Sequence, residues 1–184
     1  MDTAARFLCG GEADPRLTVE LWEPSPYLPK TYAYFVGMYF DERGLGFKYT
    51  DGDYLTPKTY EMQVVFSGGF ESLRVNSLSA AEDDWLFSLA EKAGLKKDNW
   101  PGFWAFRCRH TNFFNWCVEK RFSDSFLERE GCHYVLAACD TLVEVFCQEP
   151  PRVFFDGYGL DIPEGTCERF PASDLLYRYQ SVEK

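Results

Sequence analysis

The stretch YEMQVVFSGGFESLRVNSLSAAEDDWLFSLAEKAG, residues 60–94, decides the fold class because two strand patterns in it precede a helix pattern. In its first part, alternate residues such as Met62 and Val64 share one face of an extended strand. The glycine pair that begins at Gly68 breaks this strand, and residues 70–78 alternate again. Strands bounded by such breaks are typical of an antiparallel sheet.

The last part of the stretch predicts a helix over residues 80–93. Trp85 and Leu89 recur at helical spacing, and Ser79 is a natural N-cap residue. Gly94 is the kind of residue at which a helix ends. A helix that follows directly on two strands has to pack against the sheet that they form.

Outside this stretch the same alternation predicts further strands on both sides. They cover residues 17–22, 31–40, 46–50, 103–109, 134–139, 142–147 and 152–155. Thr111 can cap a second helix over residues 112–122, and Ser173 a short third one. The sequence therefore predicts an α+β fold, in which two or three helices pack on one antiparallel sheet of five or more strands.

The length of 184 residues suits a single domain, residues 1–184. Residues 1–15 lack periodicity and are predicted to form a loose arm. Residues 157–184 are punctuated by glycine and proline and are predicted to form a less regular tail.

The formal net charge is −10, with 29 acidic against 19 basic residues. A surface that binds a phosphate backbone or anionic lipids has to be basic. The charge therefore argues against a nucleic acid or a membrane as partner and permits a basic protein. Glu82, Asp83 and Asp84 form a local acidic cluster that is expected to contact such a partner.

No apolar run approaches the ~18 residues of a membrane span, and the first ten residues lack the pattern of a signal peptide. The seven cysteines include no C-x-x-C pair. Both observations favour a cytoplasmic protein with free thiols. No phosphate-binding, metalloprotease or hydrolase motif is present, so no cofactor and no catalytic residue is assigned.

Histidines and cysteines lie close together at two places, Cys108 with His110 and Cys132 with His133. Four such side chains are possible zinc ligands, and a Cys-His pair is a possible nucleophilic site. The spacing matches no standard zinc pattern, and adjacent residues of a strand point to opposite faces. We therefore expect no metal site and interpret these residues as structural.

Glu144 interrupts the apolar run 142–147. A buried carboxylate there would need a partner and would have a raised pKa. The favoured interpretation is that Val143 and Val145 face the core, whereas Glu144 faces solvent or a binding partner.

Aromatic residues make up 18% of the chain. Most are expected in the core, but exposed aromatic residues anchor interfaces, and Trp100 and Tyr158 are candidates. An alternative is a small-ligand or enzymatic pocket around Trp104, Trp116 and His133.

The region from Glu61 to Phe155 carries a recognisable order of elements. The strand 62–66 leads to a second strand, 72–75, and then to the aromatic helix start 113–116. After these come His133-Tyr134, Asp140, Val143-Glu144-Val145 and Glu149-Pro150-Pro151.

In this order the chain resembles small uncharacterised bacterial proteins of the toxin-immunity type. The resemblance covers about half of the chain and supplies no catalytic residues. It implies a non-catalytic cytoplasmic protein that binds and neutralises a toxin. The acidic charge agrees with such a role, because an acidic inhibitor is steered towards a basic toxin. The alternative function remains a small enzyme or ligand-binding protein, and the oligomeric state stays open.

Overall fold

The computed structural model describes residues 14–23, 33–50, 60–67, 70–78, 80–95, 103–120, 131–157 and 168–169. The strands are β1 (Thr18–Leu21), β2 (Tyr34–Asp41), β3 (Gly44–Thr50), β4 (Tyr60–Phe66), β5 (Phe70–Ser77), β6 (Trp104–Arg109), β7 (Cys132–Ala137), β8 (Thr141–Cys147), β9 (Arg152–Gly157) and β10 (Glu168–Arg169). The helices within these ranges are α1 (Ala80–Lys92) and α2 (Asn112–Lys120).

The strands form two sheets instead of the single sheet that the sequence predicted. Sheet A has the order β1-β6-β7-β8-β5, and all its neighbouring strands are antiparallel. Sheet B has the order β9-β4-β3-β2, also antiparallel, and the two-residue β10 adds to β9 in parallel. The α+β class and the antiparallel pairing are therefore confirmed, whereas the count of one sheet is wrong.

The main core lies between the two sheets. Sheet A contributes buried side chains such as Tyr134 and Val145, and sheet B contributes Phe47, Met62 and Val64. Each large apolar side chain that is withdrawn from water in this way contributes roughly 1.5–3 kcal/mol to folding. This layer is the largest cluster of buried apolar side chains in the described part of the chain.

Both helices cover the other face of sheet A, as the sequence predicted. Leu86 and Leu89 of α1 pack in one cluster with Val135 of β7. Phe114 of α2 packs with Phe146 of β8. Sheet A is thus covered on both faces, with sheet B on one side and the helices on the other.

The predicted glycine stop of α1 is confirmed, whereas the predicted hairpin loop is shifted by one residue. Gly94, two residues after the end of α1, has a φ of +82°, which glycine adopts without strain, and the Leu95 N–H donates to the Ala90 carbonyl. The hairpin between β7 and β8 has a two-residue loop, as predicted. The Ala138 N–H donates to the Thr141 carbonyl, so the loop residues are Cys139 and Asp140, one position earlier than the predicted residues 140–141.

Most of the predicted arm and tail, and the third helix near Ser173, lie outside the described residues. Among the described residues, no helix has the length and hydropathy of a membrane span.

Candidate functional site

A cluster of polar side chains lies on the face of sheet A that the helices cover. Its members are Arg74 of β5, Thr111 at the start of α2, His133 of β7 and Glu144 of β8, and we call it the buried polar cluster. The strand register explains why they meet. Arg74 lies directly opposite Glu144, and His133 is two residues along β7 from Val135, the other neighbour of Glu144.

Glu144 is completely buried, with 0% of its surface exposed, so the prediction that it faces solvent or a partner is wrong. The guanidinium of Arg74 donates one hydrogen bond from Nη2 to Oε1 at 2.6 Å and another from Nε to Oε2. Burial alone would raise the pKa of Glu144, but the neighbouring His133 and Arg74 outweigh this effect and lower the pKa below its usual value. The carboxylate is therefore ionised inside the protein.

His133 is also completely buried and lies between Thr111 and Glu144. Its Nδ1 is 2.7 Å from the Thr111 hydroxyl oxygen, and its Nε2 is 3.3 Å from Glu144 Oε1 without hydrogen-bond alignment. An ionised carboxylate has no proton to give, so in a neutral ring the proton belongs on Nε2. Nδ1 then accepts the hydrogen bond that the Thr111 hydroxyl donates.

Aromatic rings enclose the imidazole of His133. Trp85 of α1 stacks near it at a centroid distance of 6.4 Å, and Phe113 of α2 packs edge-on at 5.0 Å. The Arg74 guanidinium in turn lies over the Phe113 ring at 4.9 Å. The buried polar cluster thus lies between the two helices and sheet A, with Trp85 and Phe113 on either helix beside His133.

The order hydroxyl, imidazole, carboxylate is one that can activate an oxygen nucleophile. The Thr111 oxygen, however, already accepts a hydrogen bond from the Phe114 N–H at 3.0 Å, which makes it the N-cap of α2 as predicted. Thr111, His133 and Glu144 are all buried. This geometry connects α2 to sheet A, and a catalytic role would require a path for a substrate to reach it.

The predicted aromatic pocket is not assembled as one site. Trp116 stacks on Phe113, which contacts His133. Trp104, by contrast, pairs with Ala137, four residues along β7 from His133, or ~13 Å away at the usual strand rise. Its ring packs against Phe87 and Phe106.

The predicted acidic contact residues lie on α1. Asp83 and Asp84 are exposed, and Glu82 belongs to the same helix turn. Trp100 and Tyr158, the predicted aromatic anchors, lie outside the described residues.

An exposed apolar row on β2 was not predicted as a site. The exposed fractions are 48% for Val36, 58% for Met38 and 74% for Phe40. We call these three residues the β2 row. Met38 and Phe40 share the face of their β3 partners Phe47 and Leu45, whereas the bulge between Phe35 and Gly37 takes Val36 out of this alternation. The alternating aromatic pattern of residues 31–40 predicted the strand, but the position of β2 at the end of sheet B depends on pairings that the pattern does not specify.

The cysteines that the structure describes are free thiols: Cys108, Cys117, Cys132, Cys139 and Cys147. Cys108 lies opposite His133 in the sheet, but burial raises the pKa of the Cys108 thiol, which disfavours a nucleophilic thiolate. Within the described ranges, no three side chains of the His, Cys, Asp or Glu type are grouped as metal ligands.

No protein family, no curated protein and no solved structure matches this chain.

Proposed function

We propose that the chain is a non-catalytic protein-binding domain that contacts its partner through the β2 row. The observation that carries the proposal is the exposure of Val36, Met38 and Phe40 together on one strand. Contiguous apolar patches above roughly a few hundred Å² are rare on monomeric soluble proteins and mark binding sites, and Met38 and Phe40, on one face of β2, are the centre of such a patch in this proposal. Large apolar side chains such as Phe and Met are also enriched in the centres of protein interfaces.

The position of the β2 row in the fold supports the same use. Among the described strands, β2 pairs with β3 alone and forms one end of sheet B. A strand at the end of a sheet can accept an extended segment of another protein, and alternate side chains then give specificity. The ring centroids of Phe40 and Phe70 of β5 are 6.3 Å apart. The β2 row therefore extends at Phe40 towards β5, the edge strand of sheet A.

The charge of the chain indicates the chemistry of the partner. A net charge of −10 favours a basic protein, and the exposed Asp83 and Asp84 are candidates for long-range attraction. We propose that the domain acts in the cytoplasm as an immunity protein that neutralises a bacterial toxin. The resemblance of residues 61–155 to proteins of that type supports this role.

The test is to co-express the protein with the product of each adjacent gene and to measure rescue from toxicity and complex formation. Phe40→Asp should weaken the complex by ~30-fold or more, which is the effect of losing an interface hot spot. Thr18→Asp is the matched control, because it adds the same charge at an exposed position of β1, in the other sheet. Equal affinity of the two variants would reject the β2 row as the contact surface.

The alternative function, a small enzyme, draws on one specific observation. His133 Nε2 is buried without an aligned hydrogen-bond partner, while a hydroxyl and a carboxylate flank the ring. Turnover of a small molecule that is lost in His133→Gln, in a protein that forms no complex with any neighbouring gene product, would favour this alternative over protein binding.

A further inference from the structure

Two cysteines lie directly opposite each other in sheet A. Cys132 of β7 is paired with Cys147 of β8, so both side chains are on the same face of the sheet. Antiparallel pairs alternate between hydrogen-bonded and non-hydrogen-bonded types. Ala138 and Thr141 at the hairpin are a hydrogen-bonded pair, because the Ala138 N–H donates to the Thr141 carbonyl. Cys132 lies six residues before Ala138, an even number, so Cys132 and Cys147 are a pair of the same type.

This register puts the two thiols within reach of a covalent bond. The Cα atoms of a hydrogen-bonded antiparallel pair are ~5.5 Å apart, a separation common in disulfides, whereas their Cβ atoms, also ~5.5 Å apart, have to approach to ~4 Å before the bond closes. The other described cysteines lack such a relationship. Cys108 is opposite His133, Cys117 is on α2, and Cys139 is in the hairpin loop.

The two thiols differ in a way that suits sequential reactions. Cys132 is half-buried, and Arg107 and Arg109 of β6 are close enough to favour its thiolate. Cys147 is buried, and its Sγ–H donates to the Glu149 carbonyl at 3.1 Å. A small oxidant therefore reaches Cys132 first, and Cys147 is held beside it.

We propose that Cys132 and Cys147 form a modification site that small-molecule disulfides such as oxidised glutathione convert reversibly into an intramolecular disulfide. The Cys132 thiolate, after losing its proton to solvent, attacks one sulfur of oxidised glutathione. A mixed disulfide forms, and the first glutathione leaves as a thiolate that takes up a proton. The Cys147 thiolate then attacks the Cys132 sulfur and expels the second glutathione. The protein loses two electrons and two protons, and one oxidised glutathione becomes two reduced molecules.

The first step depends on pH in a defined direction. Burial raises the pKa of Cys132, and the two arginines offset this only in part, so the thiolate is the minor form at neutral pH. The rate of oxidation should therefore increase with pH through the neutral and mildly alkaline range. Burial raises the pKa of Cys147 to about 12, so its attack relies on proximity to the mixed disulfide.

The experiment treats the reduced, folded protein with oxidised glutathione, blocks free thiols by alkylation and maps the peptides by mass spectrometry. In the wild type we expect a cross-linked peptide pair that contains Cys132 and Cys147. A second sample is not alkylated; glutathione adducts at exposed cysteines such as Cys139 are removed selectively from it before it is denatured. It should titrate five thiols instead of seven, because two of the seven cysteines are consumed.

Variants separate the two steps. In Cys147→Ser, glutathione should accumulate on Cys132 at least ~10-fold above wild type, because the intramolecular attack that removes it is lost. Cys139→Ser is the control and should leave the cross-link unchanged. A stable glutathione adduct on Cys132 of the wild type, or a cross-link that joins other cysteines, would overturn the proposal. If Cys147→Ser does not fold, Cys132→Ser decides instead: the buried Cys147 should then carry neither glutathione nor a cross-link, and a glutathione adduct on Cys147 would overturn the proposed order.

Discussion

Arg74 and Glu144 lie opposite each other on neighbouring strands of sheet A, and the guanidinium donates hydrogen bonds to both oxygens of the buried carboxylate. Burying a carboxylate is costly, and the cost is offset only when a partner and hydrogen bonds replace water. Arg74 is 18% exposed at its side chain, whereas Glu144 has no exposure. The pair therefore joins β5 to β8 and keeps a negative charge inside the helix-covered face.

Removal of Arg74 should destabilise the fold strongly. Arg74→Met keeps the apolar stem of the side chain but leaves Glu144 without its guanidinium, and we expect a loss of ~3–5 kcal/mol in the free energy of unfolding. Urea unfolding of the variant and the wild type measures this difference. The control is the double variant Arg74→Met/Glu144→Leu, which removes both charges and should recover most of the loss. A single variant within ~1 kcal/mol of wild type would contradict the importance of the pair.

Glu144 should make the stability depend on acid pH. Its pKa is lower in the folded protein than its ordinary value of 4.5, so the unfolded chain binds the proton more readily. The stabilisation from Glu144 is thus fully present above pH 4.5 and is lost as the pH falls through the folded-state pKa. Denaturation midpoints at several pH values should decrease in this window more steeply for wild type than for Glu144→Gln. Parallel curves for the two proteins would show that another group causes the decrease.

The face on which Glu144 lies followed from the alternation of Val143, Glu144 and Val145, but its burial did not. Alternation separates two faces of a strand and does not tell whether the second face meets water or a helix. The partner Arg74 is 70 residues away in sequence, so local patterns carry no sign of the pair. Thr111 was predicted as a helix cap because that role is local, whereas its contact with His133 depends on the packing of α2 on β7.

The strands were predictable for the same reason, and their division into two sheets was not. Strand patterns report which residues alternate, but pairing partners are set by contacts distant in sequence. One signal was present: residues 134–138 are apolar without interruption, which is typical of a strand covered on both faces. In sheet A that coverage comes from the helices on one side and sheet B on the other.

The Thr111 hydroxyl should contribute more to the free energy of unfolding than an ordinary helix cap does. Thr111→Val removes the acceptor for the Phe114 N–H and the partner of His133 Nδ1 at once. The lost cap costs ~0.5–2 kcal/mol, and an unsatisfied buried ring nitrogen adds ~1–3 kcal/mol. Thr111→Ser, which retains the hydroxyl, is the control and should remain close to wild type. Chemical denaturation measures both, and a Thr111→Val variant as stable as Thr111→Ser would contradict the role of the hydroxyl.

Truncation of two phenylalanines of sheet B should lower stability to very different extents. Phe47 is completely buried between the sheets, so Phe47→Ala should lower the free energy of unfolding by ~3–5 kcal/mol. Phe40, in the β2 row, is 74% exposed, and Phe40→Ala should cost less than ~1 kcal/mol. Thermal or urea unfolding of the two variants tests this. A large loss for Phe40→Ala would mean that the β2 row serves the stability of the domain and not the binding of a partner.

If the domain binds a basic partner, charge and apolar contact should affect different rate constants. Asp83→Asn/Asp84→Asn removes two exposed charges from α1 and should mainly lower the association rate, whereas Phe40→Ala should mainly raise the dissociation rate. The association rate of wild type should also fall with added salt, since the screening length decreases from ~10 Å at 0.1 M to ~3 Å at 1 M.

The matched control for the α1 pair is Glu119→Gln/Glu149→Gln, which removes the same charge at other exposed positions. Surface plasmon resonance with the identified partner measures both rate constants. If the two double variants associate at equal rates, net charge alone causes the attraction. Asp83 and Asp84 would then not belong to the contact surface.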